Sequence, residues 1–208
     1  MQVRRLLGRQ HWQLAVTSSL VLLAFATFAV STQPNSGAAD AEQYGVYSAY
    51  LEQDASGQSH GSKHFEPQLI LIGDESRMVS EPATFRRWWL TVGSFAVLQG
   101  RKDHPRGSLI FNLIVANIQT HKLARRFHLS ARYELIDLGK LSDPGFQDRY
   151  PNSHGHYQFS SVAFDPRLSE ALFYTEQTCG PCYCKAFVLL RKLDGRWVIV
   201  RRYEISLS

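Results

Sequence analysis

Cysteine is scarce in this chain of 208 residues: there are three, all between positions 179 and 184. Three is too few for a disulfide-built miniprotein or for an all-thiolate, four-cysteine metal site. Charge of one sign is also thin. The formal net charge is +5, and removing residues 1–41 leaves 20 basic against 17 acidic residues, net +3. That excess, spread along the chain, does not make a nucleic-acid partner. No G-x-S-x-G, Walker A or H-E-x-x-H string occurs, so three common routes to hydrolytic or nucleotide chemistry have no signature. A single long apolar run excludes a multi-pass membrane protein, and 44% hydrophobic with 20% charged residues excludes disorder and collagen-like repeats.

That run lies near the start. Met1 to Gln13 carries Arg4, Arg5 and Arg9 and no acid, and Leu14 to Val30 has no charge over seventeen residues. A basic head before an apolar run is the pattern of an export signal. The run partitions into the bilayer while the arginines stay on the cytoplasmic side. At about 1.5 Å rise per residue it sits at the short end of a spanning helix. Cleaved signal and uncleaved anchor therefore both stand, with small residues at Ala29-Val30-Ser31 and Ala39-Asp40-Ala41. No cysteine precedes Cys179, which excludes lipidation of an N-terminal cysteine. Gln33 to Glu42, small and polar, reads as a linker.

Residues 42–208 are one domain's worth of chain. Glu42 to Gln53 carries Tyr44, Tyr47, Ala49, Tyr50 and Leu51 at helical spacing. Asp54 to Lys63 is a Gly/Ser-rich loop, and Gln68 to Ile72 is a short apolar strand. Thr84 to Leu98, with Trp88 and Trp89, suits a helix, and Gly100 to Gly107 suits an exposed turn. Ser108 to Lys122 reads as a helix capped by Ser108, Leu129 to Leu138 as a strand, and Phe146 to Tyr150 as one helical turn. From Tyr157 four β-rich segments follow: Tyr157 to Phe164, Glu170 to Gln177, Lys185 to Leu193 and Arg196 to Ser206. Asp194-Gly195 between two of them is a hairpin signal, because its turn requires positive φ. Strict alternation puts Trp197, Ile199, Tyr203 and Ile205 on one face of the last strand, and Val198, Val200 and Arg202 on the other. The expected fold is α+β: N-terminal helices packed on a C-terminal antiparallel β-meander, preceded by a signal or anchor segment. The expected domains are a signal peptide or membrane anchor plus linker over 1–41 and a single α+β domain over 42–208.

From about Leu109 onward the chain resembles a family of exported bacterial proteins of unknown function. The matching stretches are Phe111-Asn112 to Ala116-Asn117, Arg149-Tyr150-Pro151-Asn152-Ser153 with Gly155, and Ser161-Val162-Ala163-Phe164-Asp165. They continue through Glu170-Ala171-Leu172-Phe173-Tyr174, Cys179-Gly180 with Cys182, and Val188 to Lys192 with Asp194-Gly195-Arg196-Trp197. The family pattern has Gly after the second cysteine; this chain has Tyr183-Cys184. The resemblance implies fold and export and carries no activity.

Cys179-Gly180-Pro181-Cys182-Tyr183-Cys184 is the one dense reactive cluster. C-G-P-C is similar to the active-site string of thioredoxin-like oxidoreductases, whose first thiolate is stabilised at a helix N-terminus. Here Lys185 to Leu193 is β-prone and no tryptophan precedes Cys179. With Gly180-Pro181 as a two-residue turn, Cys179 faces Cys182 at about 5.5 Å between Cα atoms, and Cys184 lies diagonally at about 7 Å. Cys179 can then bond Cys182, or Cys184 after adjustment, leaving one thiol for a partner chain or buried. Three thiolates with one imidazole, from His154 or His156, or from His60 or His64, would suit zinc. Arg86-Arg87-Trp88-Trp89 and the group Lys122, Arg125, Arg126 and Arg132 read as tryptophans turned inward and arginines solvated.

The sequence therefore favours an exported, non-catalytic envelope domain, periplasmic, secreted or anchored to the inner membrane through residues 14–30. It binds an envelope component or protein partner. The alternatives are a thiol–disulfide or zinc-binding protein using Cys179, Cys182 and Cys184, and a small-ligand pocket in a cone-shaped α+β fold.

Overall fold

The computed structural model describes residues 36–55, 69–76, 104–151, 153–179 and 182–207. The export segment, His60, His64, the Trp88-Trp89 stretch and the Gly180-Pro181 turn lie outside the described residues. Helix α1 spans Ser36–Ala55, so the chain is already helical six residues before Glu42, through the segment read as linker. Three alanines, Ala38, Ala39 and Ala41, favour that extension. Strand β1 is Leu69–Gly73 and β2 is Glu75–Ser76. Helix α2 is Gly107–Ala116, β3 is His121–Lys122, β4 is Arg132–Ile136, and a single turn α3 is Phe146–Arg149. Then come β5 (Ser153–Phe159), β6 (Ala163–Phe164), β7 (Glu170–Cys179), β8 (Cys182–Leu193) and β9 (Arg196–Leu207). Among the described residues no helix is long and apolar enough to cross a membrane.

The fold is α+β, with a seven-stranded sheet in the order β4-β1-β5-β7-β8-β9, and β6 also on β7. Strands β7, β8 and β9 are antiparallel, as the short connections require. The sheet as a whole is mixed, which the meander did not anticipate: β1 runs parallel to both β4 and β5. Parallel strands are buried on both sides, and β1 meets that condition. Its Ile70 and Ile72 join the core under α1, while Leu71 packs with Ile136 and Tyr150 on the other side.

Helix α1 covers one face. Tyr44, Tyr47, Tyr50 and Leu51 are all buried, as their spacing predicts. The Tyr47 ring stacks on Phe159 at 4.7 Å and Tyr50 meets Phe173 edge-on at 5.4 Å, so rings fill this space. The Tyr47 hydroxyl donates to Ser160 O at 2.6 Å, which gives the phenol a partner in the core. Another stripe of α1, spaced by four, fastens the irregular stretch after β3. Tyr44 Oη accepts from Ala124 N (2.8 Å), Ser48 Oγ from His128 N (2.8 Å) and Glu52 Oε1 from Ser130 N (2.5 Å). Helix α2 covers the far face with Leu109, Ile110 and Leu113 against Leu172, Phe187, Leu189 and Tyr203. It is shorter than the expected 108–122, and its N-cap is Arg106, which makes no side-chain cap bond. The first turn bonds instead to Arg106 O, from Leu109 N (2.9 Å) and Ile110 N (3.1 Å). Past Asn117 the chain leaves the helix so that β3 can pair with β2.

The motifs behind the resemblance are hydrogen-bonding joints. Asn112 Nδ2 donates to Phe164 O at 3.0 Å. Asn117 bridges the backbone of Ser161, donating to its O (3.1 Å) and accepting from its N (2.7 Å). Ser160 Oγ accepts from Tyr174 N at 2.8 Å, filling a ladder position between β5 and β6. The Asp165 carboxylate accepts from Ser169 N (2.6 Å), Ser169 Oγ (2.8 Å) and Glu170 N (2.8 Å), closing the turn into β7.

Candidate functional site at the cysteine hairpin

Strands β7 and β8 form one long hairpin, and register makes Cys179 the partner of Cys182 and Gln177 the partner of Cys184. Cys184 lies on the face that α1 covers. A strand of 12 residues begins at Cys182, where the redox motif would need a helix. The peptide dipole that stabilises a thiolate at a helix N-terminus is therefore not present behind this cysteine. The side chains of Cys179 and Cys182 lie outside the described residues. Cys184 is buried and carries no disulfide.

Cys184 faces a polar cluster beneath the C-terminal end of α1. Its Sγ accepts from Arg202 Nη2 at 3.0 Å. Arg202 Nη1 donates to Asp54 Oδ1 at 2.8 Å, and the two side chains are only 10% and 4% exposed. Asp54 Oδ2 accepts from Tyr157 Oη (2.9 Å), which in turn accepts from Gln177 Nε2 (2.9 Å). Burial alone would weaken the Arg202 charge; the adjoining Asp54 carboxylate outweighs it and holds the guanidinium charged. Burial, reinforced by the Asp54 carboxylate, pushes the Tyr50 and Tyr157 phenols well above their ordinary range, so both stay neutral. Among the described residues, Tyr50 Oη and Thr175 Oγ1, neighbours in this cluster, have no hydrogen bond of good geometry.

The opposite face of the same hairpin holds a second cluster. Glu176, buried, accepts from Tyr174 Oη at 2.6 Å and Tyr183 Oη at 2.5 Å, and Lys185 Nζ lies 3.8 Å away. Burial and the Glu176 charge push both phenols up. His156 stands across β7 from Tyr183, its strand neighbour there being Thr178. Burial lowers its pKa against the opposing pull of Glu176.

These placements separate the expected zinc ligands: His156 is on the Glu176 face and Cys184 on the α1 face. Among the described residues no group of three His, Cys, Asp or Glu side chains is arranged to hold a metal ion. The side chain of His154 lies outside the described residues. Lys122, Arg125, Arg126 and Arg132 are exposed, with Lys122 2.9 Å from Asp74 and Arg126 2.8 Å from Asp40.

Sequence reasoning missed Asp54 and Arg202. Asp54 was read as the first residue of a loop and Arg202 was put on the wrong face. The cause is a bulge between Leu189 and Leu190 in the β8–β9 register, which resets alternation. Trp197 and Ile199 pack under α1, but Tyr203 packs on the α2 face and Arg202 turns toward Asp54. No family model, curated protein or solved structure matches this chain.

Proposed function

We propose that the chain is an exported, non-catalytic domain of the cell envelope, sent there by its basic and apolar N-terminal segment. N-terminal helices pack on the C-terminal strands, and the sheet or its cysteine hairpin binds a protein or envelope component. The observation that carries this reading is that the charged groups around the hairpin are already partnered: Asp54 of α1 with Arg202 of β9, and Glu176 of β7 with the Tyr174 and Tyr183 hydroxyls. Groups paired in this way build a shape rather than a reaction. The resemblance to exported proteins of unknown function points the same way.

The test introduces a photo-crosslinking residue at exposed Val198 or half-buried Tyr183 in the full chain, expressed in its host. A discrete adduct in the envelope fraction is the expected result. Cytoplasmic fractionation, or no adduct from either position, overturns the proposal.

A second reading has one observation in its favour: the thiol of Cys184 is unpaired and within 3.0 Å of a guanidinium. On that reading the hairpin exchanges disulfides or holds zinc. Intact mass, reduced and non-reduced, with metal analysis separates the two. A thiol-dependent turnover lost in Cys182→Ser favours the second.

A further inference from the structure

Among the described residues β9 ends the sheet. A terminal strand turns a row of backbone N–H and C=O groups outward, ready to pair with another chain. At 12 residues, β9 is long for an edge.

Gln53, near the C-terminus of α1, reaches this edge. Its Nε2 donates to Trp197 O at 3.1 Å, and its Oε1 accepts from Ile199 N at 3.1 Å. These groups flank Val198, which is itself in register with Arg191 of β8. A parallel neighbouring strand bonds the same couple, the C=O of the residue before and the N–H of the residue after. The planar side-chain amide thus supplies the one donor and one acceptor that a residue of a further strand would supply at this place. A bond from Nε2 to Ala49 O at 2.9 Å, back along the helix, fixes it there.

The surroundings say why an amide is needed at this place. Arg196 and Arg201 are exposed on either side, and edge charges deter pairing. Between them Val198 is apolar and 37% exposed, so no charge protects the centre.

We propose that Gln53 is an edge guard: it occupies the Trp197–Ile199 segment of β9 and so prevents edge-to-edge pairing with β9 of a second copy of this chain. The second copy is the relevant partner because every molecule carries the same edge, with the same apolar centre. The guard acts whatever else the sheet binds.

The test compares the purified full chain with Gln53→Ala and Gln53→Glu, by sedimentation over a range of concentrations and by amide exchange at Ile199. In Q53A, Ile199 exchange rises about fivefold at dilution, the loss of one ordinary hydrogen bond, and a dimer forms as concentration rises. Q53E, which keeps an acceptor for Ile199 N and loses the donor to Trp197 O, falls between. Adding Val198→Lys to Q53A restores the monomer. Wild-type mass for Q53A at every concentration, or an association that Val198→Lys leaves intact, overturns the proposal.

Discussion

Asp54→Asn isolates the charge of the buried pair. The substitution keeps the shape and one acceptor but removes the close, buried counter-ion of the Arg202 guanidinium, itself only 10% exposed, and leaves the more exposed Glu204 as its one carboxylate partner among the described residues. What remains around Arg202 is Gln177 Oε1 at 3.4 Å, the sulfur of Cys184 at 3.0 Å and Glu204 Oε1 at 3.7 Å, none of which replaces a carboxylate at 2.8 Å. Removing one partner of a buried pair costs about 3–5 kcal/mol, because the other charge stays desolvated. We expect about 3 kcal/mol here, the low end of that range, because the Glu204 carboxylate and the remaining dipoles compensate in part. For a domain of this size that lowers Tm by roughly 6–12 °C. Urea unfolding followed by tryptophan fluorescence measures it, with the midpoint falling at an unchanged m-value. The double variant Asp54→Leu, Arg202→Met removes both charges and should recover at least half of the loss, since two desolvation costs disappear together. A single-variant loss below about 1 kcal/mol, against the range for a broken buried pair, refutes the reasoning. A double variant no more stable than the single one does the same.

Two further perturbations follow from the same geometry. His156 has its pKa lowered by burial, with Glu176 opposing, so the folded state prefers the neutral ring. Its stabilisation is complete above the unfolded pKa of about 6.5 and is lost as pH falls from there through the lower folded value. The urea midpoint of the wild type should therefore drop more steeply between pH 7 and pH 5 than that of His156→Gln, and equal slopes count against the assignment. Asp165→Ala removes three short hydrogen bonds to Ser169 and Glu170 and should cost about 2 kcal/mol in urea unfolding; a change under about 0.5 kcal/mol, within ordinary surface variation, argues that the turn holds itself.

Local patterns were legible wherever one element contains its own signal. The tyrosine stripe of α1 follows from helical spacing, and all four of its large members, Tyr44, Tyr47, Tyr50 and Leu51, are buried. The Asp194-Gly195 turn follows from backbone sterics: φ is +49° at Asp194 and +78° at Gly195, the latter a conformation only glycine takes without strain. The register of Cys179 against Cys182 follows from the two residues that separate them between β7 and β8. The parallel neighbours of β1 were not legible. A buried run such as Leu69 to Ile72 has no polar alternation to say which strands flank it or in which direction.

By itself the sequence determined the helical stripe, the hairpins, the register of Cys179 against Cys182 and the basic, apolar start of the chain, because each depends on residues a few positions apart. Only the tertiary structure decided the site. Asp54 and Arg202 are 148 residues apart and meet because a bulge turns one strand over. Gln53 finds the edge of β9 from 144 and 146 positions away. Contacts of that range depend on how whole elements pack, and no local period in the chain encodes them.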